Sequence, residues 1–353
     1  MKEFFVTGGA GFIGSHVVDA LVARGDRVTV VDSFDPAAHA GEPDYLNPDA
    51  EYLRCDVRAS ASWDRAAGAD AVIHLAGKVG LGVSFADTPD YVSHNDQGMA
   101  TGLARLAELK SDAPFVLASS MVVYGEGRYR CAEHGVVRPA PRSEAALSAG
   151  DFDPPCPVCG AAVEPEAVSE EAPLEPRNVY AATKVHQEHL LNCYANDTHV
   201  RSVALRFHNV YGRRMPANNP YSGVAAIFAS AALSGHAPQV FEDGCQIRDF
   251  VHVTDVARAV IAAADRDSAR GPYNIGSGQA RPIIDMAEAV VAAAGSSIAP
   301  HRTGAWRSGD VRHVFADSTR MRTQLGVSDT IALEVGATDL VAGSLRAASH
   351  GGA

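Results

Sequence analysis

The run Thr7-Gly8-Gly9-Ala10-Gly11-Phe12-Ile13-Gly14 constrains this chain more than any other feature. It joins a short apolar strand, Glu3-Phe4-Phe5-Val6-Thr7, to a helix predicted from about Phe12 to Arg24, with Gly25 as its stop. Gly8 permits a tight turn, Gly11 lets the backbone approach a pyrophosphate, and Gly14 lets helix pack closely on strand. The helix N-terminus, at Phe12 and Ile13, then offers free N–H groups to phosphates. Taken alone, the pattern fits a plain strand–helix turn equally well. Asp32 tips the balance: it ends the next strand 18 residues after Gly14, where a carboxylate can hold an adenosine ribose. The same charge repels a 2′-phosphate, so NAD is expected rather than NADP. Asp56 and Val57, after a further short strand, are placed to meet the adenine, although an aspartate there also suits a loop cap.

Strands predicted at residues 3–7, 27–32, 71–75, 115–119 and 200–205 alternate with helices at about 12–24, 95–110 and 179–194, and a further helix is expected at 285–294. That alternation implies an α/β fold: a doubly wound (Rossmann) parallel sheet covered on both faces. A smaller C-terminal substrate-binding lobe is expected with it. The expected division is an NAD-binding part, residues 1–178, and a part from 179 to 345 that returns core elements and adds the substrate lobe. Residues 126–170 break the rhythm, being rich in Pro, Gly, Ala and Glu with no sustained apolar period, so they read as an inserted loop. The tail from Ala347 looks frayed. A net charge of −12 with no long basic run argues against a nucleic-acid partner. No apolar run approaches the roughly 18 residues a bilayer demands. Met1-Lys2-Glu3-Phe4-Phe5-Val6 leads straight into the glycine turn without a signal pattern, so the cytoplasm is expected.

Tyr180 and Lys184 stand four apart on a predicted helix and share a face. An ammonium beside a phenol favours phenolate and is expected to draw the tyrosine's pKa down from about 10, which suits a general base. Further motifs recur in a fixed order. They are His74-Leu75-Ala76-Gly77, Asn95, Ser119-Ser120-Met121-Val122-Val123-Tyr124-Gly125 and Tyr180-Ala181-Ala182-Thr183-Lys184. After them come Leu205-Arg206-Phe207-His208-Asn209-Val210-Tyr211-Gly212, Arg248-Asp249-Phe250-Val251-His252-Val253-Thr254-Asp255 and Arg307-Ser308-Gly309-Asp310.

In that order they resemble the extended short-chain dehydrogenase/reductase family, specifically its NAD-dependent nucleotide-sugar epimerases and dehydratases. The resemblance implies an isomerase in which Tyr180, Lys184 and Ser120 are catalytic. Leu75, Ala76, Gly77 and Asn95 would help hold NAD, with Tyr180 and Lys184 beside it. Asn209, Arg248 and Arg307 would bind the nucleotide diphosphate and Asp310 its ribose, although each also reads as a surface ion-pair or polar residue. A homodimer is expected.

The dehydratases this chain resembles place Asp-Glu directly after the catalytic hydroxyl residue, and the related decarboxylases a Glu where Val122 stands. Here Met121 and Val122 carry no transferable proton, which leaves 4-epimerisation: oxidation at C4 and re-reduction on the opposite face. The stretches Asn219-Pro220-Tyr221-Ser222-Gly223-Val224, Val240-Phe241-Glu242-Asp243-Gly244 and Gly309-Asp310-Val311-Arg312-His313 resemble dTDP-L-rhamnose 4-epimerase-like sequences. UDP-glucuronate 4-epimerases usually carry an arginine at the position of Gly82. Competing readings are a 4-ketoreductase, an epimerase of a UDP- or GDP-sugar, and a non-catalytic NAD sensor.

Inside the insertion, Cys131-Ala132-Glu133-His134 and Cys156-Pro157-Val158-Cys159-Gly160 lie 21 residues apart. Two pairs with two residues between ligands have the spacing of a structural Cys3His zinc site. An unmetallated loop with a redox-active CxxC is the alternative. Falling between Ser120 and Tyr180, the insertion is expected near the substrate mouth.

Overall fold

The computed structural model describes residues 1–36, 38–39, 41–80, 85–217, 223–343 and 345–346. Gly82, Asn219–Ser222 and the tail from Ala347 lie outside the described residues.

β1 (Glu3–Thr7) passes through the glycine turn into α1 (Phe12–Ala23), followed by β2 (Arg27–Asp32), β3 (Glu51–Arg54) and β4 (Ala71–His74). α2 (Thr88–Tyr91) widens into a π turn, Val92–Gln97, before α3 (Gly98–Glu108) and β5 (Phe115–Ser120). The insertion holds β6 (Arg128–Cys131), β7 (Gly135–Val137), α4 (Glu144–Ala149) and β8 (Glu164–Glu166). α5 (Val179–Thr198) and β9 (Ser202–Phe207) return to the main sheet. Next come β10 (Asn209–Tyr211), α6 (Val224–Leu233), β11 (Gln239–Val240), β12 (Ile247–Arg248) and β13 (Phe250–His252). The chain ends with α7 (Val253–Asp265), β14 (Gly271–Ile275), β15 (Arg281–Pro282), α8 (Ile283–Ala293), β16 (His301–Arg302) and α9 (Leu333–Ala342).

Seven of these strands form one parallel sheet in the order β14-β9-β5-β4-β1-β2-β3. Parallel strands are buried on both faces and so read as continuous apolar runs. Alternation still sorts them: Phe4 and Val6 pack with Val17, Val18 and Leu21 of α1 and Val256 and Val260 of α7. Phe5 turns to the other face, against Trp63, Leu103 and Phe115. A separate apolar cluster around Tyr211, Phe228, Met286 and Leu340 forms the second lobe.

The strand order reverses at β1, which pairs with β2 on one side and β4 on the other. That switch point leaves a crevice beyond the carboxyl ends of the strands, the place where such sheets take ligands.

The insertion is more ordered than its composition suggests. β7, β6 and β8 form a small antiparallel sheet, with Cys131 opposite Gly135. Strands of three or four residues are too short for a period to show in sequence.

Candidate active site

A cavity of about 710 Å³ opens over the switch point. Its floor is the glycine turn. A Cβ on Gly8, whose φ is +72°, would stand 2.6 Å from the Ala76 nitrogen, and one on Gly14 would stand 2.1 Å from the Gly8 oxygen. Only glycine allows β1, α1 and the loop after β4 to meet this closely. Gly8, Gly11, Phe12, Ile13 and Gly14 all line the cavity, as do Asp32, Asp56, Val57, Leu75, Ala76 and Gly77.

Asp32 is buried, and its carboxylate accepts the amides of Ala10 at 3.0 Å and Phe34 at 2.9 Å. It therefore holds the turn as well as facing the cavity. Asp56 is a loop cap too: it accepts the Arg58 amide at 2.8 Å, and the Arg58 guanidinium keeps its carboxyl below the usual carboxylate range, against burial.

Asn95, expected among the cofactor-binding residues, lies just beneath the cavity wall. It does not line the cavity but is fully buried in the π turn. Its amide oxygen accepts from the Lys78 nitrogen at 2.7 Å, and its amide nitrogen donates to the Lys78 oxygen and to Thr183 Oγ1, each at 3.0 Å. Asn95 thus pins the loop after Gly77 to α5.

Ser120, Tyr180 and Lys184 converge on the cavity where β5 and α5 meet. Asn178 caps α5, accepting the Ala181 amide at 2.8 Å, and so sets the rotation that aims both side chains inward. Burial pushes the Tyr180 phenol up to about 12, against a smaller lowering by the Ser120 hydroxyl beside it. Lys184 Nζ does not reach the phenol; it lies 5.9 Å from the ring and donates to the Ala118 carbonyl at 2.9 Å. The expectation that Lys184 draws Tyr180 down is therefore corrected: burial raises it, and the lowering comes from Ser120. Burial lowers Lys184 itself to about 8, opposed by the charges of Asp96 and Glu188. Ser119 also lines the cavity, but its hydroxyl donates to the Glu188 carboxylate at 2.5 Å. Met121 and Val122 both line the cavity directly after Ser120.

At the far end the cavity is lined by Asn209, Arg248, Arg307 and Asp310. Arg248 donates to the carbonyls of Ile247, Arg312 and Val311 at 2.8, 2.9 and 2.7 Å. Three of the five donors of a guanidinium are thereby spent, so two remain for a ligand. Arg307 is exposed and lies over the Phe241 ring at 4.7 Å. Asn209 Oδ1 is buried with no hydrogen-bond partner among the described residues, a polar atom waiting for a donor. Burial raises Asp310, opposed by Arg248 and Arg307.

The sequence profile of the NAD dependent epimerase/dehydratase family matches residues 4–146 and 156–276. The chain belongs to that family.

The dTDP-L-rhamnose 4-epimerase of Burkholderia thailandensis is 35% identical over 350 residues, 96% of this chain and 94% of that protein. The UDP-glucose 4-epimerase of Thermotoga maritima, solved with UDP-glucose, superposes with a TM-score of 0.78 at 27% identity, over 96% of this chain and 97% of that one. The Thermus thermophilus UDP-glucose 4-epimerase, solved with NAD, superposes at 0.74 and 28% identity, over 96% and 98%. This family member is an enzyme of the epimerase kind, an isomerase built on an NAD-binding parallel sheet. The family profile skips residues 147–155, which fall inside the insertion.

Several residues in and around the cavity of this epimerase carried no signal in sequence. Tyr45 donates to the Ala10 carbonyl at 2.9 Å, bracing the glycine turn from a polar loop. His39, Gln246 and Arg346 line the cavity. They come from connections whose course depends on tertiary packing rather than on local pattern. The insertion, expected near the substrate mouth, contributes no lining residue among those described, but its Arg142 bonds to Glu242 and to the Asp310 carbonyl, both of which line the cavity.

Proposed function

We propose that the chain is a nucleotide-sugar 4-epimerase with NAD as resident cofactor, acting on a dTDP-6-deoxyhexose such as dTDP-L-rhamnose. One observation carries the reading: Ser120, Tyr180 and Lys184 share a cavity with Arg248 and Arg307, and the two residues after Ser120 are Met121 and Val122. With Met121 and Val122 offering no acid or base directly after Ser120, the site suits oxidation and re-reduction rather than elimination.

The residues fit the cofactor: a side chain at Gly8 or Gly14 would close the turn, and Asp32 lines the cavity where it would meet the adenosine ribose. Gly8, Gly11, Gly14, Phe12 and Ile13 would hold its pyrophosphate, Val57 its adenine, and Lys184 its nicotinamide ribose. When bound, NAD supplies the hydride acceptor and donor. Tyr180 would take the proton of the sugar 4-hydroxyl and return it after the keto sugar has turned over. Ser120 would hydrogen-bond the same oxygen and orient it. Arg248, Arg307 and Asn209 would grip the diphosphate and Asp310 the nucleotide ribose, so the sugar can rotate while its carrier stays fixed.

The identity to the Burkholderia protein over nearly its full length supports the dTDP-6-deoxyhexose choice. Residues 1–178 would then form the cofactor lobe and 179–345 the remaining core and substrate lobe. The chain would work as a cytoplasmic homodimer; among the described residues no helix is long and apolar enough to cross a membrane, and exposed Phe85 and Val92 offer a second copy an apolar face. Purified protein given dTDP-, UDP- and GDP-sugars tests the reading. Epimer formation from a dTDP-6-deoxyhexose supports it, stoichiometric NADPH consumption points to a ketoreductase, and turnover of none to a sensor.

A further inference from the structure

Outside the cavity, Cys131, His134, Cys156 and Cys159 bring four ligand atoms within 4.8 Å of one another. His134 Nδ1 lies 3.6 Å from Cys131 Sγ and 3.8 Å from Cys156 Sγ, and the sulfurs of Cys131 and Cys159 are 3.7 Å apart. A tetrahedral zinc with bonds of about 2.3 Å to sulfur and about 2.0–2.1 Å to nitrogen sets its ligand atoms about 3.6–3.8 Å apart. Each pair ends in a glycine with left-handed backbone, Gly135 at φ +65° and Gly160 at φ +74°. In the second turn the Gly160 amide donates to the Cys156 carbonyl at 2.9 Å, and the Cys156 amide to the Ala161 carbonyl at 2.8 Å. Two such turns facing each other present four ligands to one point. A Cys156–Cys159 disulfide would account for neither His134 nor Cys131.

The sheet these turns close has almost no core: its buried members are Tyr129, Cys131, Val137 and Cys156, two of them the thiols themselves. Yet it carries residues that reach deep into the enzyme. Arg142 donates to Glu242 at 2.8 and 2.9 Å and to the Asp310 carbonyl at 2.8 Å, with both side chains of the ion pair buried. Asp153 accepts from Arg312 at 2.8 Å, and Arg312 also donates to Glu242 and Asp243 at 2.8 and 2.7 Å. Tyr129 donates to Glu126 at 2.6 Å, and Glu126 accepts the Arg312 amide at 2.7 Å. Glu242 and Asp310 line the cavity from its front. The module stands behind the wall that carries them.

We propose that Cys131, His134, Cys156 and Cys159 hold one zinc ion, and that the ion fixes a brace positioning the nucleotide end of the substrate site. The ion replaces the apolar core that the module lacks. Without it Arg142 is no longer held, and Glu242, a buried carboxylate near Asp310, is left with Arg312 as its remaining ion-pair partner. The nucleotide arm rests on the epimerase reading; the metal arm does not.

The test uses the untagged full-length protein. Elemental analysis should find one zinc per chain, lost in Cys156→Ser. Cobalt-substituted protein should show the thiolate charge-transfer and tetrahedral ligand-field bands of a closed site. Calorimetric binding of dTDP and UDP should weaken about tenfold or more in Cys156→Ser and in Arg142→Gln, with NAD content unchanged and zinc retained in the second. Zinc added back to chelated wild type should restore binding. Protein without zinc, or with Cys156 and Cys159 joined as a disulfide, overturns the metal site. Wild-type nucleotide affinity in both variants overturns the brace. A chain that holds zinc but binds neither nucleotide overturns the nucleotide arm together with the epimerase reading, while the metal site stands.

Discussion

Two alanine substitutions separate the demands on the turn between β1 and α1. A Cβ on Gly14 would stand 2.1 Å from the Gly8 oxygen and 2.8 Å from the Gly9 Cα, backbone atoms with no side chain to swing aside. Carbon and oxygen reach contact at about 3.3 Å or beyond, so α1 would have to withdraw by about 1 Å. It cannot do so freely, because Val17, Val18 and Leu21 are fully buried against the sheet. Overpacking of this kind costs about 1–3 kcal/mol, and rigid backbone on both sides puts Gly14→Ala near the upper end. Gly11 is different: its φ of −74° and ψ of 179° are open to any residue, and its Cβ would meet only the Gly8 oxygen at 3.2 Å. That Cβ would instead project where the cofactor pyrophosphate is expected. Measured on cofactor-stripped protein, Gly14→Ala should lower Tm by several degrees, while Gly11→Ala stays within about 0.5 kcal/mol of wild type. NAD retained through purification should fall in both. A Gly14→Ala protein as stable as wild type, or a Gly11→Ala protein with full NAD, would refute the reasoning.

Tyr180→Phe should keep the fold and its NAD but lose turnover by about 10²–10⁴-fold, because the phenol is the group assigned to move the hydroxyl proton; near-normal steady-state rates would remove Tyr180 from the mechanism. Asp32→Ala should loosen the glycine turn, whose Ala10 amide it holds at 3.0 Å, and narrow the preference for NAD over NADP; a wild type that already prefers NADP contradicts the role given to this carboxylate. Burial keeps His74 neutral, with its pKa lowered to about 3 from 6.5, while Thr7 Oγ1 lies 2.7 Å from its Nδ1. The unfolded chain therefore binds a proton that the folded chain refuses between about pH 6.5 and 3, and His74 should cost about 2 kcal/mol of stability at pH 5 relative to pH 7. Urea titrations should show this loss reduced in His74→Asn; an unchanged pH slope would contradict it.

The parts of the fold that were legible in sequence are those whose physics is local. β1, β2, β4, β5 and β9 are apolar runs because a central parallel strand is covered on both faces, and the glycine turn is written at residue level because no other side chain fits there. The Tyr180–Lys184 spacing places both side chains on one face of α5. What escaped depends on residues far apart in the chain. Arg142 meets Glu242 a hundred positions on, and nothing near either residue announces the pairing. Arg248 spends three donors on the carbonyls of Ile247, Val311 and Arg312, which only the folded loop reveals. Asn95 sits in an expected motif yet turns inward, because the π turn rotates it toward Lys78 and Thr183. Tyr180 illustrates the same limit in electrostatics: spacing shows which groups are neighbours, but burial, which spacing does not show, dominates its pKa.

The central claim is that a hydride leaves C4 and returns to the same carbon within one binding event. The most direct measurement follows dTDP-L-rhamnose by proton NMR with purified protein and no added nucleotide cofactor. A 4-epimerase with resident NAD gives inversion at C4 to an equilibrium mixture, catalytic in enzyme and with no net change in absorbance at 340 nm. Dependence on stoichiometric NADPH, or a product lacking the elements of water, would contradict it.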